Sequence, residues 1–257
     1  MQDRIEEIRR LEEISARARK KILGMLAHAN RDELRGGHAG GSLSCIDILV
    51  ALYFSRMEAG DRLLLSKGHA SPALYSALSE KGLVSEEMLK MLRRPGGLGG
   101  HPCCDVKGVD FPSGSLSQLI SVGLGMAIGD RTSKVYVVLG DGELQEGQVW
   151  EAMMFAGHNR LGNLVAIIDR NMLQQSGRVC DVMDIEPLAD KFRSFNWNVK
   201  ETDGHDFSGL LETLESAGSS MPTVIIANTV KGKGVGFMEN RVEWHGIHDR
   251  KMLKAML

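Results

Sequence analysis

The feature that most constrains the fold is a strand–helix–strand pattern across residues 134–173. Residues 135–139 and 164–168 are rich in Val and Ile, which is typical of strands buried on both faces of a parallel sheet. Residues 147–160 between them predict a helix, because their apolar side chains recur at helical spacing. Two such strands are expected to be parallel, with a right-handed crossover. The sequence therefore predicts an α/β fold of three layers, α/β/α, around a mainly parallel sheet.

Polar residues follow both predicted strands. The first runs into Gly-Asp-Gly at residues 140–142, and the second into Asp-Arg-Asn at residues 169–171. Ligands bind beyond the carboxyl ends of parallel strands, so Asp141 and Asn171 are expected to face one site. Carboxylate and amide oxygens suit Mg²⁺ or Ca²⁺, and Mg²⁺ usually shares its shell with phosphates. Gly-Asp-Gly alone is more often a tight turn with an exposed Asp, but Asn171 at the end of the next strand reverses this and favours the metal site.

Length and composition narrow the class of protein. The 257 residues suffice for one large α/β domain, predicted to span residues 1–257. The formal net charge is −2 without a long basic run, which argues against a nucleic-acid partner. No apolar run approaches the ~20 residues that cross a bilayer, and the N-terminus lacks a signal-peptide core, so we expect a cytoplasmic protein without membrane contact. The cysteines form no Cys-x-x-Cys pair and are interpreted as reduced thiols: Cys45, Cys103, Cys104 and Cys180.

Further helices and strands are predicted along the chain. Residues 3–34 are predicted to form an amphipathic helix ended by glycines, and residues 38–44 to form a loop. The other predicted elements are a strand beginning at residue 61, helices at 45–54, 71–81, 117–128, 186–195 and 207–217, and strands at 197–201 and 222–228. The glycine- and proline-rich residues 95–115 are expected to form a functional loop over the strand ends. The Lys-Gly segment at residues 231–234 lacks the residue order of a P-loop.

Several of these motifs together resemble the transketolase family. The string GDGELQEG, the AGH and LGNL segments that follow, and the Asn about thirty residues after the Asp are similar to its thiamine-diphosphate motif. The resemblance implies that Asp141, the Asn171 side chain and the Leu173 carbonyl bind the metal, and that the Gly142 amide contacts the diphosphate. The implied fold is the diphosphate-type domain, and the implied cofactors are thiamine diphosphate and Mg²⁺ (or Ca²⁺).

Separate segments supply more site residues by the same resemblance. His38 matches a histidine that contacts the sugar, and His69 matches one that binds the diphosphate. His101, in a His-Pro pair, is placed in the substrate channel, and His245 beside both diphosphate and substrate. Neutral imidazoles can donate to ketose oxygens and relay protons, although each histidine taken alone could be a structural residue. The residues implied to line the cofactor are Gly114, Ser115, where the family has Pro, and Leu116.

Acidic residues flank the start of the helix after Asp141. By the resemblance, Glu146 and Glu151 lie beside the cofactor at a subunit contact and can link two cofactor sites. Charge pairing with the helix macrodipole is an equally open interpretation.

The resemblance covers nearly the whole chain but only the N-terminal part of a full-length transketolase. In the family, the Glu that activates the aminopyrimidine lies in a following pyrimidine-binding domain. The initial Met and the terminal helix pattern favour a natural split enzyme over a truncated chain. We therefore expect a separate C-terminal subunit, an α₂β₂ assembly, and transfer of a two-carbon ketol unit from a ketose phosphate to an aldose phosphate. The sugar could be a common pentose phosphate or a specialised ketose.

Two other functions stay open. One is a different thiamine-diphosphate enzyme subunit, similar to 1-deoxyxylulose-5-phosphate synthase or to ketoacid dehydrogenases. The other is a non-catalytic regulatory subunit that retains the fold. The clustered His38, His69 and His101 favour ketose transfer, because a polyol needs several hydrogen-bond partners. The presence of both Asp141 and Asn171 speaks against a non-catalytic role.

Overall fold

A five-stranded sheet lies at the centre of the computed structural model, which describes residues 2–29, 36–218 and 220–246. The strands are Arg62–Leu65 (β1), Val135–Gly140 (β2), Leu164–Arg170 (β3), Asn198–Asp203 (β4) and Thr223–Asn228 (β5). They pair in the order β1-β2-β3-β5-β4, and every neighbouring pair is parallel. The carboxyl ends of all five strands therefore lie at one edge of the sheet.

Helices of very different length surround the sheet. They are Gln2–Ala29 (α1), Ala39–Ala51 (α2), Ser71–Glu80 (α3), Glu86–Leu89 (α4), Gln118–Gly129 (α5), Gly147–His158 (α6), Val179–Val182 (α7), Leu188–Ser194 (α8) and Phe207–Glu215 (α9). A π-helical turn at Leu52–Arg56 extends α2, and 3₁₀ turns occur at Gly68–Ala70, Gly142–Gln145 and Val242–Trp244. Side-chain caps stabilise the N-termini of two helices. The Ser85 hydroxyl accepts a hydrogen bond from the Met88 amide at the start of α4, and the Asp206 carboxylate caps α9.

Alternate strand residues enter two separate hydrophobic cores, one on each face of the sheet. Tyr136 and Val138 of β2 pack with α1, α2, α3 and α9, whereas Val135 and Val137 pack with α5, α6 and α8. A strand buried on both faces needs apolar side chains at successive positions, which accounts for the Val- and Ile-rich runs. The predicted three-layer α/β/α fold with its parallel sheet is confirmed.

The predicted strand–helix–strand unit corresponds to β2, α6 and β3. The two strands pair in parallel, with Val135 opposite Leu164 at one end and Gly140 opposite Asp169 at the other. The first helix, predicted over residues 3–34, covers Gln2–Ala29, and residues 30–34 lie outside the described part of the chain. The loop prediction for residues 38–44 is wrong, because α2 begins at Ala39. Its glycines serve close packing: a Cβ on Gly40 would lie 2.8 Å from the Trp244 carbonyl oxygen.

Among the described residues, no helix is both long and apolar enough to span a membrane. The four cysteines are free thiols, as predicted, with Cys45 buried within α2.

The close contact between α6 and the turn after α8 provides a test of the packing. A Cβ added to Gly157 would lie 1.8 Å from the Phe195 carbonyl oxygen, so Gly157→Ala is expected to lower the free energy of unfolding by about 3 kcal/mol, the upper part of the usual overpacking range. Gly125→Ala on α5 is the matched control, because nothing lies within 4 Å of the added Cβ. The control should be neutral or up to about 1 kcal/mol more stable. Urea unfolding of both variants measures the difference, and equal stabilities would contradict this packing.

Candidate functional site

A cavity of about 840 Å³ opens at the carboxyl edge of the sheet. It is lined by ten of the residues that the sequence singled out: His38, His69, His101, Leu116, Asp141, Gly142, Glu146, Asn171, Leu173 and His245. Two others, Gly114 and Ser115, are also in the described part of the chain, but they are exposed and do not line the cavity. The topology thus brings together residues from segments more than 200 positions apart.

Asp141 and Asn171 lie at the ends of adjacent strands, as the pattern predicted. Both are buried, and the β2–β3 register places Gly140, which directly precedes Asp141, opposite Asp169, two residues before Asn171. The Asp141 carboxylate accepts hydrogen bonds from the amides of Gly142, at 2.8 Å, and Met172. The Asn171 Oδ1 accepts from the Leu173 amide at 3.2 Å. The turn after β3 is therefore closed by the same two side chains whose oxygens face the cavity.

Lys231 is a site residue that the sequence interpretation missed. Its ammonium group lies 2.8 Å from the Leu173 carbonyl oxygen and 3.0 Å from His245 Nδ1. The side chain is almost wholly buried, and this burial, reinforced by nearby Lys67, lowers its pKa to about 8. The Lys-Gly segment fails the P-loop order, but its position after β5 was the signal that could have identified the lysine.

A buried ion pair between Lys67 and Asp169 lies beneath the cavity and stabilises the residues that line it. Asp169, fully buried at the end of β3, accepts from the Lys67 ammonium, from Ser44 Oγ at 2.6 Å and from the Thr229 hydroxyl. It also accepts from Asn171 Nδ2 at 3.3 Å, which turns the amide oxygen of Asn171 away from it. Burial alone would raise the pKa of Asp169, but Lys67 and the hydroxyl donors outweigh it and hold the pKa below its usual value.

A second buried carboxylate organises the loop before α5. Glu143 accepts from the Ser117 amide at 2.7 Å, from the Gly140 amide at 3.1 Å and from the Ser66 hydroxyl. Burial is the main cause that raises its pKa above the usual range. By binding the Ser117 amide, Glu143 places Leu116 against the cavity. Neither Glu143 nor the Lys67–Asp169 pair follows from a local pattern, because their partners come from distant segments.

Three histidines cluster in the cavity, near the buried Lys67–Asp169 pair. The ring centroids of His38, His69 and His245 lie 5.1–5.4 Å from one another. Burial, together with Lys67 and the other two rings, lowers the pKa of His69 well below its usual value, so this ring is neutral at pH 7. Burial and then Arg93 lower the pKa of His101 as well. Neutral rings each offer one N–H donor and one acceptor, which suits hydroxyl and phosphate oxygens.

The residues present fit a hard divalent cation and a diphosphate. The candidate metal ligands are the Asp141 carboxylate, the Asn171 amide oxygen and the Leu173 carbonyl oxygen. Oxygen ligands of this kind are those that Mg²⁺ and Ca²⁺ bind. At the edge of the same cavity, Gln174 Oε1 is buried and lacks a hydrogen-bond partner. Within the described residues, no group of three His, Cys, Asp or Glu side chains forms an alternative metal cluster. The buried ammonium of Lys231 adds the positive charge that a phosphate needs.

The chain is similar to known proteins over nearly its whole length. Residues 16–252 match the family model for the thiamine-diphosphate-binding domain of transketolase. The chain is 39% identical to the 6-deoxy-6-sulfo-D-fructose transketolase subunit of a Clostridium species, covering 92% of both chains. It is 38% identical to an apulose-4-phosphate transketolase subunit of Phocaeicola vulgatus, covering 93% of this chain and 89% of that one.

A solved structure extends the similarity to the fold. The crystal structure of transketolase from Campylobacter jejuni superposes with a TM-score of 0.82 at 30% identity. The match covers 95% of this chain but 42% of that one, so the chain spans less than half of that transketolase.

The buried position of Asp141 predicts a pH-dependent stability. Burial, and then the charge of Asp169, raise its pKa from 3.8 to about 6, so the folded chain holds a proton that the unfolded chain releases above about pH 4. The free energy of unfolding should therefore fall by about 3 kcal/mol as the pH rises from about 4 through 6, at 1.36 kcal/mol per pKa unit. Asp141→Asn lacks this contribution, so the difference between the free energies of unfolding of the two proteins should change by about 3 kcal/mol over this range. Urea unfolding of both proteins in EDTA, across this pH range, measures it, and parallel curves would refute the assignment.

Proposed function

The chain belongs to the transketolase family, within its thiamine-diphosphate-binding domain, and from this premise we propose that it forms the N-terminal half of a split transketolase. In this proposal the chain binds Mg²⁺ and thiamine diphosphate. A separate C-terminal subunit supplies the pyrimidine-binding domain, as an α₂β₂ assembly. The observation that carries the proposal is the convergence of Asp141, Asn171 and the Leu173 carbonyl beneath three histidines in one cavity.

The part of the cavity formed by Asp141, Asn171, Leu173 and Lys231 would hold the diphosphate of the cofactor. Asp141, Asn171 and the Leu173 carbonyl would bind the metal, which neutralises the diphosphate. Lys231 and His69 would donate to diphosphate oxygens, since the buried Lys231 and the half-buried His69 lie in the same cavity wall. Gly142, predicted to contact the diphosphate, has its N–H bonded to Asp141 in this structure and so orients that carboxylate. Glu146 is exposed at the mouth of the cavity, where a partner chain could contact it.

Three of the histidines would bind the sugar substrate and transfer protons to and from it. When bound, thiamine diphosphate supplies the nucleophilic carbon that allows a ketose to be cleaved beside its carbonyl group. His38, His101 and His245 line the open part of the cavity, where they can donate to the sugar hydroxyls and carry protons to and from its oxygens. Several hydrogen-bonding side chains in one cavity match a polyol, which favours ketol transfer over a ketoacid substrate.

The expected reaction moves a two-carbon ketol unit from a ketose phosphate to an aldose phosphate. The two relatives described above are named as subunits of transketolases for a sulfonated fructose and for an apulose phosphate. A specialised ketose with an anionic group at its far end is therefore a donor to test beside the common pentose phosphates.

The metal ligands are tested by calorimetric titration of the chain, alone and reconstituted with the C-terminal subunit, with thiamine diphosphate and Mg²⁺. Asp141→Ala should weaken binding by more than about 100-fold, because even partners outside a metal's ligand set are worth roughly 10–100-fold. EDTA should abolish binding to the unaltered chain. Asp190→Ala is the control, since Asp190 is exposed on α8 and pairs with Arg193. Unchanged binding in Asp141→Ala would overturn the site, and ketol transfer by this chain without a pyrimidine-domain chain would overturn the split enzyme.

The two roles of the histidines can be separated kinetically. His101→Ala should raise KM for the ketose about threefold to tenfold, the usual worth of one hydrogen bond, with little change in cofactor affinity. His69→Ala should instead weaken thiamine diphosphate binding by a similar factor. Cys104→Ser, in the same exposed loop as His101, is the control. The assay is steady-state ketol transfer in the reconstituted two-subunit enzyme, and a pattern in which both variants affect only the cofactor would contradict the assignment.

A further inference from the structure

A second buried charge cluster lies behind the cavity, at the contact of α1, α2 and the loop after β4. Its centre is Asp47 on α2, which is 3% exposed. The Asp47 carboxylate accepts from the Ser15 hydroxyl, from the Arg19 guanidinium and, at 2.7 Å, from His205 Nδ1. None of these four residues lines the cavity, and the proposed reaction has no use for them.

Two members of this cluster reach the backbone on either side of Lys231. His205 Nε2 accepts a hydrogen bond from the Val230 amide at 2.8 Å. Arg19 Nε donates to the Lys233 carbonyl oxygen at 3.3 Å. Both contacts depend on Asp47, because the same carboxylate oxygen binds the Arg19 guanidinium and the His205 ring.

The hydrogen bonds define the state of His205. A ring nitrogen that accepts from a backbone amide carries no proton, so Nε2 is bare and the proton resides on Nδ1, which donates to Asp47. A carboxylate that orients the neutral imidazole in this way fixes both the tautomer and the ring plane. Burial alone would raise the pKa of Asp47, but the hydrogen bond from His205 and the Arg19 guanidinium hold it below its usual value, so the carboxylate stays charged.

The loop between these anchors carries the buried lysine of the site. The Lys231 ammonium lies 2.8 Å from the Leu173 carbonyl, and its side chain passes close to Gly40 of α2. A long side chain such as that of Lys231 can place its ammonium group at several points. The position of the ammonium group therefore depends on where the backbone of the loop is held. The Val230 amide and the Lys233 carbonyl are groups that the cluster holds directly.

We propose that Asp47, His205 and Arg19 are positioning residues that hold residues 230–233 and thereby direct Lys231 at the diphosphate end of the site. The proposal rests on the proposed function, because it assigns Lys231 to the diphosphate. The cluster acts through the backbone of this loop and contacts neither cofactor nor substrate.

Two substitutions of His205 separate its two hydrogen bonds. His205→Gln places an amide oxygen near the position of Nε2 and can still accept from Val230. His205→Asn places an amide near the position of Nδ1 and can still donate to Asp47, but it leaves the Val230 amide without its acceptor. If the loop contact matters, the Gln variant should resemble the unaltered chain and the Asn variant should not. Leu210→Val is the control for general destabilisation, because Leu210 is a buried residue on nearby α9.

The first measurement is hydrogen exchange of the full chain, without any ligand. In His205→Asn, amides within residues 229–234 should exchange about threefold to tenfold faster, in line with the loss of one hydrogen bond, while β3 stays unchanged. In His205→Gln and Leu210→Val, exchange of this loop should stay within about twofold of the unaltered chain. Equal exchange in the Asn and Gln variants would overturn the proposal.

The second measurement is titration of the same variants, each reconstituted with the C-terminal subunit, with thiamine diphosphate and Mg²⁺. His205→Asn should bind about threefold to tenfold more weakly, and His205→Gln within about twofold of the unaltered chain. Faster exchange in the Asn variant with unchanged cofactor binding would overturn the link to Lys231. Failure of the two-subunit enzyme that contains the unaltered chain to bind the cofactor would instead refute the proposed function, and the exchange data would still decide whether the cluster anchors the loop.

Discussion

The carboxylate of Asp169 is fully buried at the end of the third strand, and the Lys67 ammonium makes that burial possible. A charge removed from water is tolerated only when it is paired and its remaining lone pairs are hydrogen-bonded. Asp169 meets this condition with donors from the turn after β1, from α2, from the residues just after its own strand and from the loop after β5. One ion pair thereby ties four segments together at the edge of the sheet where the cavity opens, and it orients the amide of Asn171.

Helix α2 connects the two buried charge clusters. Ser44 on this helix donates to Asp169 beneath the cavity, and Asp47, about one turn later, binds His205 and Arg19. At the N-terminal end of α2, His38 joins the histidine cluster, and Gly41 leaves room for the His69 ring. A side chain on Gly41 would lie 3.3 Å from His69 Nε2, so small residues are needed where the helix passes under the rings.

Elements with a strong local period were predictable. The runs that became β2 and β3 are apolar at successive positions, and the stripe of α6 recurs at helical spacing, so both types of element are visible without a structure. Asp141 and Asn171 were predictable because parallel strands end at one edge. The segment at residues 38–44 was misjudged, since paired glycines usually mark loops, whereas here close packing against Lys231 and Trp244 stabilises them within a helix.

By itself the sequence determined the parallel α/β architecture, the two strand-end ligands and the family resemblance, because these depend on short-range periodicity and on contiguous motifs. Only the tertiary structure decided that Lys231 and Asp169 belong to the site, that Gly114 and Ser115 lie outside the cavity lining, and that Asp47 and His205 support the loop from behind. The physical reason is that a buried polar group must be matched by a partner, and that partner can come from any segment that the fold brings near.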